Sequence, residues 1–370
     1  MTGFRLRSSV LAGAVTLATV AGFLGASGAS AGARPAKATT SSGYSLTRLV
    51  SDKPGVATHQ DTDLVNAWGL AAGPQTPWWV ADNGTSLSTI YGTDGTKGSF
   101  TVSVPEDPTG TVFNGGSDFV VTDGTHAGPS LFLFDTEAGQ ILGWNPNVPP
   151  PAPSTQAFVV ADKTNEGAIF KGLAIASTPD GDRLYATDFA NAKVDVFDGD
   201  FHQITAPGRF TDPNLPKGYA PFGIQTIGSD VFVTYGKQVP GSGDEQDGRT
   251  LGFVDEFDTS GMLVARVASR GVLDAPWGLA MAPSNFGRFG GDLLVGNFGN
   301  GKINAYKWSN GSWMHAGKLR RRSGTIIKIP GLWAIEFGNG GPSGATNQLF
   351  FTAGPGDESH GLFGVIEATG

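Results

Sequence analysis

"NAWGLAAG" (residues 66–73) returns far along the chain as "PWGLAMAP" (276–283), and how that pair is read decides the architecture. Aligned on the Trp-Gly-Leu step, the chain falls into six units. Their first strands are "AWGLA" (67–71), "GSDFVV" (116–121), "FKGLAIA" (170–176), "PFGIQTI" (221–227), "PWGLAMA" (276–282) and "LWAIEF" (332–337). Each is followed by an apolar second strand, such as "WWVADNG" or "LLVGNFGNG", and by a third, such as "STIYG" or "KINAYKW". Leu70, Phe119, Leu173, Ile224, Leu279 and Ile335 anchor the units at separations of 49, 54, 51, 55 and 56 residues. Periods near fifty without a helical pattern point to propeller blades, which absorb length differences in their loops.

Composition agrees. Among 370 residues there are 56 glycines and 23 prolines, only 16% are charged, and 39% are hydrophobic. That is a turn-rich chain with enough apolar residues for a large core. Asp94-Gly95, Asp180-Gly181, Asp198-Gly199, Asn300-Gly301 and Asn310-Gly311 supply hairpin turns. The prediction is an all-β, six-bladed β-propeller. The leftover strand "YSLTRLV" (44–50) is expected to close the last blade as its outer edge, since that removes two open edges.

The first residues differ in kind. Arg5 and Arg7 precede an uncharged run whose apolar heart, Val10 to Leu24, is short for a membrane span, and small residues offer cleavage after Ala31 or Ala33. Residues 1–33 therefore read as a Sec-type secretory signal peptide, 34–43 as a disordered linker and 44–370 as one propeller. An exported, soluble monomer with no membrane span in its mature form is expected, folded without disulfides because cysteine is absent. Without Arg5 and Arg7 the balance is 23 basic against 33 acidic residues, or −10, which argues against nucleic acid as a partner. The basic cluster Lys318, Arg320, Arg321 and Arg322 reads as a solvated strand end.

In a propeller, the start of each inner strand and the turn between second and third strands lie on one face. The expected ligand site is that channel mouth, bordered by Asn66, Trp68, Asp82, Asn114, Asp118, Lys171, Asp188, Tyr235, Trp277, Asn297, Glu358 and His360. The glycine beside each aromatic is read as room for six crowded strands, with Trp68 and Trp277 packing between blades or offering a stacking platform. Asp82, Asp188 and Asn297, at the ends of second strands, suit Asx turns. Asp61 and Asp63, near His59 and Asn66, and Asp244 with Glu245 and Asp247, present oxygen at spacings compatible with Ca²⁺; no cofactor is assigned beyond that. Glu358 and His360 are candidates for an acid/base pair. No G-x-S-x-G elbow, thiol nucleophile or histidine-rich zinc site is present, and "GNFGNG" lacks nucleotide-loop spacing.

"LVNAWGLA", "VFNGGSDFVV", "IFKGLAIA", "DPNLPKGYAPFGIQTIGSDVFVTYGKQ", "GVLDAPWGLAMAP", "GLWAIEFGNG" and "FFTAGPGDESHGLFGVI" resemble a family of exported bacterial NHL-like six-bladed propellers without an assigned activity. The resemblance spans about residues 44–367 and implies fold and export. More distant NHL-like propellers include Ca²⁺-dependent lactonases and lyases. The lactonase pattern carries Glu on the first inner strand and Asn or Asp on later ones, where this chain has Asn66, Asn114 with Asp118, and Lys171. The functional expectation is a secreted module binding a small molecule, glycan, peptide, protein or cell-envelope component at the mouth. The alternative is a Ca²⁺-assisted hydrolase or lyase acting there.

Overall fold

The computed structural model describes residues 42–205 and 208–370; the expected signal peptide and the expected linker up to residue 41 lie outside the described residues. Six sheets stand around an axis, in the blade order I to VI along the chain, antiparallel but for the short strand His59–Gln60, which pairs in parallel at the edge of blade VI. Their inner strands are Ala67–Ala71, Pro108–Phe113, Phe170–Thr178, Tyr219–Ile227, Pro276–Met281 and Leu332–Phe337. Each inner strand neighbours the next around the ring, and the sixth returns to the first. Blade III has three strands among the described residues, and the others have four or five. Inner strands are buried on both faces, so they read as continuous apolar runs rather than alternating ones.

Closure follows the expected route. Gly43–Ser51 pairs antiparallel with Leu362–Thr369, from Gly43 opposite Thr369 to Ser51 opposite Leu362. The N-terminal strand thus becomes the fourth strand of blade VI and covers an edge otherwise open to pairing.

Gly69, Gly110, Gly172, Gly223, Gly278 and Ala334 form the ring nearest the axis. A Cβ on Gly69 would lie 2.5 Å from the Thr109 carbonyl oxygen, and one on Gly223 would lie 2.1 Å from that of Trp277. Backbone meets backbone at these glycines, so a side chain is excluded sterically there, while blade VI accommodates the single methyl of Ala334.

One blade departs from the expectation. The inner strand of blade II is "PTGTVF" (108–113), whereas "GSDFVV" belongs to an excursion on the far face, where Val120–Thr122 pairs with Ala127–Pro129. Gly110, not the surroundings of Phe119, is the ring member, and Phe119 sits at a positive φ of 61°. Hydroxyls drive the substitution: Thr109 Oγ1 donates to Asp135 Oδ1 (2.8 Å), and Thr111 Oγ1 donates to the Leu133 carbonyl (3.1 Å). This inner strand is held by hydroxyl hydrogen bonds, including one from Thr109 to the Phe170 carbonyl of blade III, where four of the others carry an aromatic at the matching position.

Candidate functional site

The residue just before each ring glycine faces the upper end of the axis. Around the ring that column reads Trp68, Thr109, Lys171, Phe222, Trp277 and Trp333. Four aromatics and one lysine therefore crowd one mouth. Trp68 and Trp333 stack at 3.6 Å between centroids, and Phe298 stacks on the other side of Trp333 at 4.0 Å. The Lys171 ammonium sits 5.1 Å from the centre of the Trp68 ring, a cation–π contact that extends the stack. Trp277 donates its indole N–H to the Lys171 carbonyl at 2.7 Å.

Above this column the second-to-third-strand turns contribute polar groups. Lys171 Nζ pairs with Glu137 Oε1 at 2.6 Å, and Asn83 Nδ2 donates to Glu137 Oε2 at 3.0 Å. Asn66 Nδ2 donates both to Asn83 Oδ1 (3.0 Å) and to Glu358 Oε2 (2.8 Å), while Trp333 Nε1 donates to Asn66 Oδ1 (2.9 Å). The chain Lys171–Glu137–Asn83–Asn66–Glu358 thus crosses the mouth without a break. Glu245, from the blade IV loop, also acts on Lys171 through its charge.

Three carboxylates around one ammonium set the local electrostatics. Burial works against charge on Lys171, but Glu137, Glu245 and Glu358 outweigh it and hold its pKa above the usual value. Burial pushes the Glu245 carboxyl up to about 7, and Lys171 only partly offsets this. Glu358 is likewise raised by burial, with the Asn66 bond opposing. Because folded Glu245 holds its proton more tightly than the unfolded chain does, its contribution is full below pH ~4.5 and is lost as pH climbs toward 7. Denaturant midpoints measured from pH 4.5 to 7.5 should fall less steeply in Glu245→Gln than in the parent; parallel curves would remove Glu245 from the list of titrating groups.

Beside the cluster, between blades IV, V and VI, opens a cavity of about 340 Å³. Phe298 and Gly299 lie against it, with Asp247, Asn300, Lys328 and Asp357 around it. Asn300 is oriented by donating to Asp274 Oδ2 at 2.8 Å, and Asp274 also accepts the Gly248 N–H at 2.9 Å. The Asp247 carboxyl is raised by burial and by the neighbouring charges of Asp274 and Asp357.

The expected site residues divide by location. Asn66, Lys171 and Glu358 converge at the mouth, and Asp247 lines the adjoining cavity. Trp68 (1% exposed) and Trp277 (8% exposed) form the packed floor, so neither offers an open ring face to a ligand. Asp82, Asp188 and Asn297 are buried in turn bonding: Asp82 accepts the Thr89 N–H, Asp188 accepts from Asn191, and Asn297 donates to the Val272 carbonyl. Tyr235 is core. His360 pairs with Asp52 through Nδ1 at 2.7 Å, and only its carbonyl meets Asn66.

Asp61 and Asp63 share Lys97, at 2.8 and 2.6 Å, and Asp61 also accepts the Tyr91 hydroxyl; a side-chain ammonium fills the space between those oxygens. Asp244 is exposed and accepts from Ser242. Asn114 and Asp118 correct the expectation of a shared mouth. They follow the end of their inner strand, on the opposite face, where Asn114 ties the Asp118 and Ser130 carbonyls. Asn66, Asn114, Asp118, Asp188 and His360, all expected at one mouth, therefore do not converge on a single point. Among the described residues no group of three or more His, Cys, Asp or Glu is placed to hold a metal ion.

Sequence reading missed Asn83, Glu137, Phe298 and Trp333. The first three share a signal: each directly follows the last residue of its blade's second strand, one place beyond the Asp82–Asp188–Asn297 column.

No protein-family model matches the chain. It is similar to two uncharacterized proteins of Acanthamoeba polyphaga mimivirus. R648 is 35% identical over 351 residues, covering 90% of this chain and 82% of that protein. L690 is 31% identical over 344 residues, covering 87% and 85%. These relatives are viral rather than bacterial. Among solved structures, soluble aldose sugar dehydrogenase from Escherichia coli matches with a TM-score of 0.54 at 12% identity, covering 88% of this chain and 99% of that one. Streptogramin B lyase matches with a TM-score of 0.50 at 11% identity, covering 88% and 98%. At such identities the likeness is one of fold. With a third of its residues shared over nearly its whole length, the chain belongs to the family of the mimivirus proteins R648 and L690, and its fold is the six-bladed propeller.

Proposed function

We propose that the chain is a binding protein for a hydroxylated ligand, a sugar residue of a glycan, held at the mouth between blades IV, V and VI. The observation that carries this reading is the cavity beside Phe298. It has the room for one sugar ring, an aromatic backed by the Trp333–Trp68 stack, and carboxylate and amide acceptors in Asp247, Asp357 and Asn300. Vicinal hydroxyls suit carboxylate acceptors, and a ring face lying on Phe298 adds apolar contact. Gly299, Gly331, Gly354 and Gly356 keep side chains off the rim. Export from the cell belongs to the same proposal, on the strength of Arg5, Arg7 and the apolar run that follows. No helix among the described residues is long and apolar enough to cross a membrane.

Isothermal titration with a panel of monosaccharides and oligosaccharides tests it. Loss of the Phe298 ring or of the Asp247 charge should each weaken binding roughly tenfold, the size of one aromatic or charge-assisted contact. Phe298→Ala and Asp247→Asn are the variants. A panel that gives no heat, or binding indifferent to both substitutions, overturns the reading.

Glu245 favours a second reading, hydrolysis at the same mouth. A carboxyl raised to about 7 that shares Lys171 with the ion-paired Glu137 has the make-up of a general acid. This version needs no metal ion. It predicts that Glu245→Gln abolishes turnover of a glycoside while leaving its binding intact.

A further inference from the structure

The far end of the axis is chemically unlike the mouth. At the ring the lumen narrows to about 20 Å³, space for little more than a water molecule. It then reopens on the far face as a cavity of about 200 Å³. Its wall combines the apolar side chains of Leu70, Val112, Phe113 and Ile175 with Thr111, Gln225, Thr226 and Glu336, and polar surface predominates. Glu336 lines both the narrow section and the cavity, as does Gln225, and it is the one ionisable residue lining either.

Glu336 stands two residues beyond the ring position of blade VI. The matching residues of the other blades are Ala71, Val112, Ala174, Gln225 and Ala280. Four of those five are apolar, so the architecture does not require a carboxyl there. Among the described residues the Glu336 carboxyl makes no hydrogen bond and no ion pair, and burial alone pushes it up to about 8. Its partial exposure is to the cavity itself. A carboxyl desolvated without a partner is a cost to folding that a leucine would not impose. A ligand that completes the pair is the simplest reason to keep it.

We propose that the far-face cavity binds a small organic cation, a primary alkylammonium, whose ammonium pairs with the Glu336 carboxylate while its alkyl chain lies against Leu70, Val112 and Phe113. An anion would meet the carboxylate and no cation, and an alcohol would gain a hydrogen bond without the charge. Gln225 offers a second acceptor for the ammonium protons. No covalent bond forms. At neutral pH Glu336 holds its proton, so the pair forms as that proton leaves to the buffer and the ammonium keeps its own.

The test is titration calorimetry of the full chain with n-butylammonium chloride at pH 7, in phosphate and in MOPS, with 1-butanol and butyrate as controls. Butylammonium should bind roughly tenfold or more tighter than 1-butanol, as a charge-assisted contact does over a neutral one. Butyrate should give no heat. The butylammonium heat should differ between the buffers by the ionisation of about one proton. Glu336→Gln should abolish the buffer difference and weaken butylammonium roughly tenfold, while melting no lower than the parent and binding mouth ligands unchanged. That last readout separates failure here from failure of the sugar-binding reading. Absence of butylammonium binding, equal binding of 1-butanol, or binding unaffected in Glu336→Gln would overturn the proposal.

Discussion

Trp333→Ala should lower the unfolding free energy by about 4 kcal/mol, the large end of what removing a buried aromatic costs. Trp333 is fully buried where the aromatic column closes on itself. One ring face is covered by Trp68 at 3.6 Å and the other by Phe298 at 4.0 Å, while Trp277 and Phe222 present edges at 5.9 and 5.8 Å. No neighbour can fill the space without leaving another void, because these rings come from four different blades. The indole N–H also holds Asn66 Oδ1, and Asn66 in turn holds Asn83 and Glu358. Truncation therefore loosens the mouth as well as the core. Trp333→Phe separates the two effects: it keeps much of the stack and loses the hydrogen bond, and should cost about 1 to 2 kcal/mol. Urea denaturation followed by tryptophan fluorescence measures both. If the alanine variant unfolds within about 1 kcal/mol of the parent, the column is not what binds the blades at the axis.

How far this architecture is legible in sequence depends on which force shapes each strand. Five inner strands carry an aromatic or apolar residue, or Lys171, just before the ring glycine or alanine, and their register is readable directly. In "PTGTVF" threonines replace that pattern, and hydroxyl bonds from Thr109 and Thr111 do the holding. The apolar "DFVV" nearby then looks more like a strand than the real one. A hydrogen-bonded strand leaves a weaker hydrophobic signal than a packed one, so the error falls on blade II for a physical reason.

The site was harder to read than the fold. Asp82, Asp188 and Asn297 stand out by recurrence, yet recurrence marks what every blade needs, namely a satisfied turn. The mouth is built from residues that differ between blades at one position: Asn83, Glu137, Phe298. Lys171 shows the same logic, being the one charge in an aromatic column. Its meeting with Glu137, Glu245 and Glu358 joins four blades through ring closure, which no local spacing reports.

Lys171→Met should therefore cost about 3 kcal/mol at pH 8, the low end for breaking a buried ion pair because the acids left behind are partly wetted. Methionine keeps the length of the side chain and its contact with Trp68, so the loss is of charge rather than packing. With the ammonium gone, Glu137, Glu245 and Glu358 face one another without a counter-charge. The folded pKa values of Glu245 and Glu358, already raised by burial, then rise further above those of the unfolded chain. Stability so affected is full below pH ~4.5 and drains away as pH rises through the folded values. In the parent the lysine stays charged from pH 5 to pH 8, so what changes across that range is the charge on the acids it faces. The gap between parent and variant should consequently be small at pH 5 and widen to its full size by pH 8. Adding Glu137→Gln should restore part of the loss, since it removes one of the three stranded charges, and the coupling between the two sites should be about 1 to 2 kcal/mol. Urea midpoints at pH 5, 6.5 and 8 for the two single variants and the double variant read this out. A gap of equal size at pH 5 and pH 8 would mean that Lys171 serves the aromatic stack and not the carboxylates around it.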